Sequence, residues 1–127
     1  MPRRDFLSPE ERQRFDTPPH LNAAERLILV DIPQWAEDYL LAVHTPTNKV
    51  GFLLQLGYFR VVTRFFVPDR FPAADLEWVC RRRNILLTDV QMENYLHNRT
   101  VYRHRRIILD RLGYQAFEAD HRAALIE

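Results

Sequence analysis

Cysteine occurs once in the 127 residues, at Cys80, so no intrachain disulfide and no cysteine-rich zinc site can form. Glycine occurs three times, at Gly51, Gly57 and Gly113, too rarely for a turn-rich β fold or a glycine-rich loop that cradles phosphate. The sole serine, Ser8, sits where a helix cap belongs, which leaves no serine-based triad. Among His20, His44, His97, His104 and His121 no two are four residues apart, so no metal-ligand spacing emerges. Neither a catalytic site nor a metal nor a cofactor is expected. A long apolar run is missing too. The stretch from Val50 to Val62 is interrupted by Gln55 and Arg60 and is too short to span a bilayer. The opening MPRRDFLSPEERQRF is charged throughout and lacks the apolar core of a signal peptide. No membrane contact and a reducing, cytoplasmic location are the expectations.

What is present suits one compact domain spanning residues 1–127, or two small helical lobes sharing an interface. The 46% of hydrophobic and 28% of charged residues are ordinary for a globular chain, and a chain of this length buries roughly two-thirds of its unfolded surface. Net charge is only +1, but it is unevenly placed. Residues 1–59 carry six basic against eight acidic residues, and residues 112–127 carry one against three. Residues 60–111 carry eleven arginines against six acids. A basic segment of this kind is the electrostatic footprint of a nucleic-acid contact. All the basic residues except Lys49 are arginines, whose planar fork fits phosphate and guanine.

Helix punctuation recurs along the chain and makes the fold class all-α. Ser8-Pro9-Glu10-Glu11 opens a short helix to about Phe15. Asn22 with Glu25 opens a second, with Leu27, Ile28 and Val30 turned inward, and Pro33 opens a third through Trp35, Tyr39, Leu40 and Val43. Thr45-Pro46-Thr47-Asn48 holds two candidate N-caps for a helix that is apolar on nearly every face from Val50 to Phe59, hence buried in the middle of the domain. Val61-Val62-Thr63 and Phe65-Phe66-Val67 are β-prone and leave room for a short extended piece. Pro72 starts a helix through Leu76, Val79 and Cys80 to Arg81-Arg82-Arg83-Asn84. Thr88 with Gln91 marks a short helix to about Leu96. Residues 99–112 form the most regular helix, ended by Gly113 in a left-handed cap. A final helix from about Phe117 stops at Glu127 without a terminator, as at a boundary inside a longer protein. The expected architecture is an orthogonal bundle of seven or eight short helices.

Arg99, Arg103 and Arg106 share one face of the 99–112 helix, with Val101, Ile108 and Leu112 opposite. Such a stripe suits a phosphate backbone or a major groove; it is also what a solvated face looks like, with Asp110 four residues beyond Arg106 as partial neutraliser. Tyr102 and His104 are weaker candidates on the same helix. Arg81, Arg82 and Arg83 either meet nucleic acid or relieve the negative end of their helix dipole. Around them Val79-Cys80, Asn84-Ile85 and Thr88-Asp89-Val90 partly match helix-turn-helix spacing, with Arg83 where an apolar residue belongs. Thr47-Asn48-Lys49 opens the central helix as a phosphate seat or as plain capping. Arg3 and Arg4 read as a minor-groove arm or as an unordered tail.

Three stretches, PRRDFLSPEERQRFDTPP, PTNKVGFLLQLGYFRVVTRFFVPDRFP and RTVYRHRRIILDRLGYQAF, resemble one family in the right order: the N-terminal domain of the large transposases of replicative class II (Tn-three-type) transposons. Asn48, Gly51, Phe52, Gln55, Leu56, Arg60, Arg64 and Phe65 carry its most specific part. The family's usual small residue near positions 61–63 is absent, and Cys80 and Asn84 stand where Ala and Gly are commoner. The resemblance implies a helical fragment of a much longer transposase, without its acidic metal-binding nuclease centre, that recognises terminal inverted repeats in duplex DNA. On it rest the expectations of a bacterial, nucleoid-associated setting and of self-association through the parent protein. Arg99, Arg103 and Arg106 are the leading contacts, with Arg103 as base reader and the other two on phosphate. Asn48, Lys49, Arg60 and Arg64 come next. The rival is a protein-interaction domain that helps a transposase dimerise.

Overall fold

The computed structural model describes residues 17–96 and 99–114, which form six α-helices, two 3₁₀ turns and no strand. The helices expected from Ser8 to Phe15 and from Phe117 to Glu127, and the arm at Arg3 and Arg4, lie outside these residues.

Helix α1 (Ala23–Ile28) begins as the sequence directs. The Asn22 side chain accepts from the Glu25 backbone N–H at 2.8 Å, and the Glu25 carboxylate accepts from the Asn22 N–H at 3.0 Å. Of the three residues expected inward, Val30 is half-buried against the core, but the fully buried one is a fourth. The helix stops at Ile28, so Leu29 in the following turn is fully buried and Leu27 is left 46% exposed. Helix α2 (Gln34–Leu41) starts after Pro33 and buries Ala36 and Leu40, with Trp35 and Tyr39 half-buried beside them.

Helix α3 (Pro46–Val62) is the axis of the domain. Thr45 caps it by accepting from the Asn48 N–H at 3.1 Å, and every residue from Val50 to Phe59 is buried. Glycine is needed at two points where neighbours press on the backbone. A Cβ at Gly51 would run into the Tyr95 ring, and one at Gly57 into the Leu29 side chain. The β-prone patches form no strand. Val61 and Val62 complete α3, and Thr63 ends it in a left-handed conformation at φ 56°, unfavourable for a β-branched residue.

After the turn Pro68–Arg70, helix α4 (Ala73–Arg83) buries Asp75, Val79 and Cys80. Asn84 ends it at φ 58°, a conformation Asn tolerates almost as well as the more usual Gly. The helix-turn-helix expectation therefore finds its turn but not its second helix. Leu87–Asp89 is a single 3₁₀ turn, and helix α5 (Met92–Leu96) is only five residues long. Thr88 does not cap α5. The Gln91 N–H instead donates to the hydroxyl of Thr47 at 2.9 Å, which in turn donates to the Asp89 carbonyl at 3.4 Å. Helix α6 (Thr100–Arg111) closes with Gly113 at φ 85°; the Gly113 and Tyr114 N–H groups donate to the Asp110 and Leu109 carbonyls at 3.2 and 2.7 Å, a Schellman arrangement.

Candidate nucleic-acid interface

Two buried polar groups on α3 tie the surrounding helices to it. Gln55 Nε2 donates to the Tyr95 hydroxyl at 2.6 Å and to the Val101 carbonyl at 3.3 Å, while Gln55 Oε1 accepts from Arg105 Nε at 2.8 Å. The Tyr95 hydroxyl, already an acceptor from Gln55, has its own proton left for His104 Nδ1 at 2.7 Å. That arrangement suits a neutral His104 with its hydrogen on Nε2. Burial, helped by the nearby Arg103 charge, lowers its pKa to about 4. On the other side Tyr58 donates to Asp75 at 2.6 Å and Arg26 pairs with the same carboxylate at 3.0 Å. Burial and the Asp75 contact push the Tyr58 hydroxyl well above its usual range.

These ties sort the arginines. Arg26 is held by Asp75. Arg83 is held by Glu37 at 3.0 Å and by the Val30 carbonyl at 2.7 Å. Arg105, half-buried, donates to Gln55 and, at 3.2 Å, to the Phe66 carbonyl, with its guanidinium 5.4 Å from the Phe65 ring and 5.5 Å from the Tyr102 ring. Arg82 and Arg111 lie over Trp78 and Trp35, and Arg64 over Phe66. Arg60 donates to the Asp31 carbonyl at 3.1 Å, and Arg70 reaches Asp69 at 4.0 Å. Of the twelve arginines among the described residues, only Arg81, Arg99, Arg103 and Arg106 have no side-chain hydrogen bond, ion pair or ring contact there. Three of these four are on one face of α6, all exposed, spanning roughly 10 Å of helix axis. Asp110 is exposed on the same face but forms no ion pair with Arg106.

The opposite face of α6 is core, as its periodicity requires: Val101 and Ile108 are buried and Leu112 is half-buried. His104 belongs to that face. It is 1% exposed, with its ring edge-on to Tyr39 and Phe52, so it cannot touch DNA and leaves the set of contact candidates. Tyr102 remains, 67% exposed. Arg83 is also spoken for by its pairing, whereas Arg81 and Arg82 stay exposed at the end of α4. Asn48 and Lys49 are half-buried at the start of α3. The residues overlooked in the sequence are Tyr95 and Asp75; Gln55 signalled itself, as a polar residue interrupting the apolar run.

Among the described residues no three His, Cys, Asp or Glu side chains converge as a metal site would need, and no helix is long and apolar enough to cross a membrane. No curated protein and no solved structure matches the chain. One family profile matches residues 6–127, nearly the full length. The chain thus belongs to the family described as a domain of unknown function (DUF4158).

Proposed function

We propose that this chain is the DNA-recognition domain of a transposase and binds duplex DNA at transposon ends through the exposed face of α6. The observation that carries the reading is the set Arg99, Arg103 and Arg106, left without partners among the described residues while neighbouring arginines are consumed in holding the fold together. Desolvated or paired cations lose much of their attraction for phosphate; solvated, unpaired ones keep it and release counterions on binding. The sequence resemblance to transposase N-terminal domains, and a family found in transposases, support the same reading. Arg99 and Arg106 are assigned to phosphate and Arg103, at the centre, to a guanine edge. Arg81 and Arg82 are a second basic group at the end of α4.

Band shifts across a salt series test this. The chain should bind duplex DNA with a log affinity that falls linearly with log salt. Replacing Arg99, Arg103 and Arg106 together by Ala should flatten that slope by about 0.9 for each phosphate the arginines no longer neutralise. A folded triple variant with unchanged affinity and slope would remove α6 from the interface.

A further inference from the structure

Tyr102 completes the arginine stripe of α6. Residues 99, 102, 103 and 106 follow the three-to-four spacing of a single helix face, and all four are exposed. Three of them are cations; the fourth is a neutral ring, 67% open to solvent. The ring is positioned from below. Arg105 lies 5.5 Å from its centre, and Arg105 is itself fixed by Gln55 Oε1, the Phe66 carbonyl and the Phe65 ring. An aromatic side chain held by a fixed, half-buried guanidinium loses little further freedom when it makes a contact.

A helix of about 10–12 Å diameter fills the major groove, where bases stay stacked and show only their edges. The apolar group on those edges is the thymine C5-methyl. We propose that Tyr102 is a specificity-determining residue that packs its ring on a thymine methyl in the major groove, beside the arginines that hold phosphate and guanine. The inference rests on the α6 reading above.

The test uses the 127-residue chain and a duplex selected by it from a randomised pool, with each thymine replaced in turn by deoxyuridine, which lacks only the methyl. Removing one buried methyl should weaken the wild-type complex about fourfold at one position. Tyr102→Ala should bind the thymine duplex more weakly, be indifferent to that replacement, and keep the wild-type salt slope. Tyr102→Phe should behave as wild type. If no deoxyuridine position matters, if Tyr102→Ala stays as sensitive as wild type, or if selection yields no preferred sequence, the proposal is wrong while salt-dependent binding through α6 stands. Absence of salt-dependent DNA binding by the wild type would overturn both.

Discussion

Lowering the pH should destabilise this domain in a window set by His104. The unfolded chain titrates this imidazole near 6.5, whereas burial holds it down to about 4 in the fold. Between those values the unfolded chain takes up the proton and the folded one resists it, so stability falls as pH falls. Above 6.5 the full contribution is present, and below 4 nothing further disappears. The whole difference is about 3 kcal/mol, of which about 2 kcal/mol disappears between about pH 7 and 5. The geometry accounts for the resistance. A proton on Nδ1 would face the Tyr95 hydroxyl hydrogen, and the hydroxyl cannot turn to accept it without losing that hydrogen's own acceptor, because Gln55 already donates to the same oxygen. Tyr39 and Phe52 enclose the ring in T-shaped contacts, and the Arg103 charge repels a second cation. Chemical denaturation at about pH 7, 6 and 5 should be compared for wild type and His104→Asn, whose amide oxygen keeps an acceptor for Tyr95 but does not titrate. Carboxylates common to both proteins cancel in the difference. The variant should be less stable at about pH 7, with a gap that narrows by about 2 kcal/mol by about pH 5. A constant gap would show that His104 titrates normally and that the network described is not formed.

Two further substitutions probe the packing around α3 and α4. Gly51→Ala places a methyl in the Tyr95 ring and should cost about 1–3 kcal/mol in a thermal or denaturant melt; an unchanged midpoint would contradict the close approach of α5 to α3. Arg83→Ala should lower stability by up to about 1 kcal/mol by removing the Glu37 pair, while Arg81→Ala should leave stability unchanged and weaken DNA binding instead, a contrast that equal melts and equal affinities would erase.

The helical class and most boundaries are legible in the sequence because their causes are local. Asn22 with Glu25, Pro46, Pro72 and Gly113 act through bonds or torsions within a few residues, and each stands where its helix starts or stops. The departures lie where a partner distant in sequence decides. Thr88 has the spacing of a cap, but the donor it would satisfy is taken by Thr47, more than forty residues away. Leu27 has the spacing of an inward residue, but the early end of α1 hands that place to Leu29, pressed on Gly57. For the candidate site, the spacing of Arg99, Arg103 and Arg106 marks the face. It cannot tell which arginines the fold consumes, because Glu37, Asp75 and the Phe66 carbonyl come from other parts of the chain.

That distinction has a physical consequence for how such a face is held in place. Apolar burial around α3 is non-directional and would tolerate several rotations of α6 about its axis. Gln55 is directional: its amide reaches the Val101 carbonyl, the Tyr95 hydroxyl and Arg105 together, and only one rotation of α6 presents Val101 and Arg105 to it at once. A single residue of slip would carry His104 away from Tyr95 and put Arg103 or Arg105 in its buried place, leaving a buried amide and a buried cation unmatched. One side of α6 is therefore made specific by hydrogen bonds so that the other can be specific in orientation, and Arg105, which donates to Gln55 below and touches Tyr102 above, joins the two. The half-buried arginine, held by Gln55 and the Phe66 carbonyl, fixes where its three neighbours point.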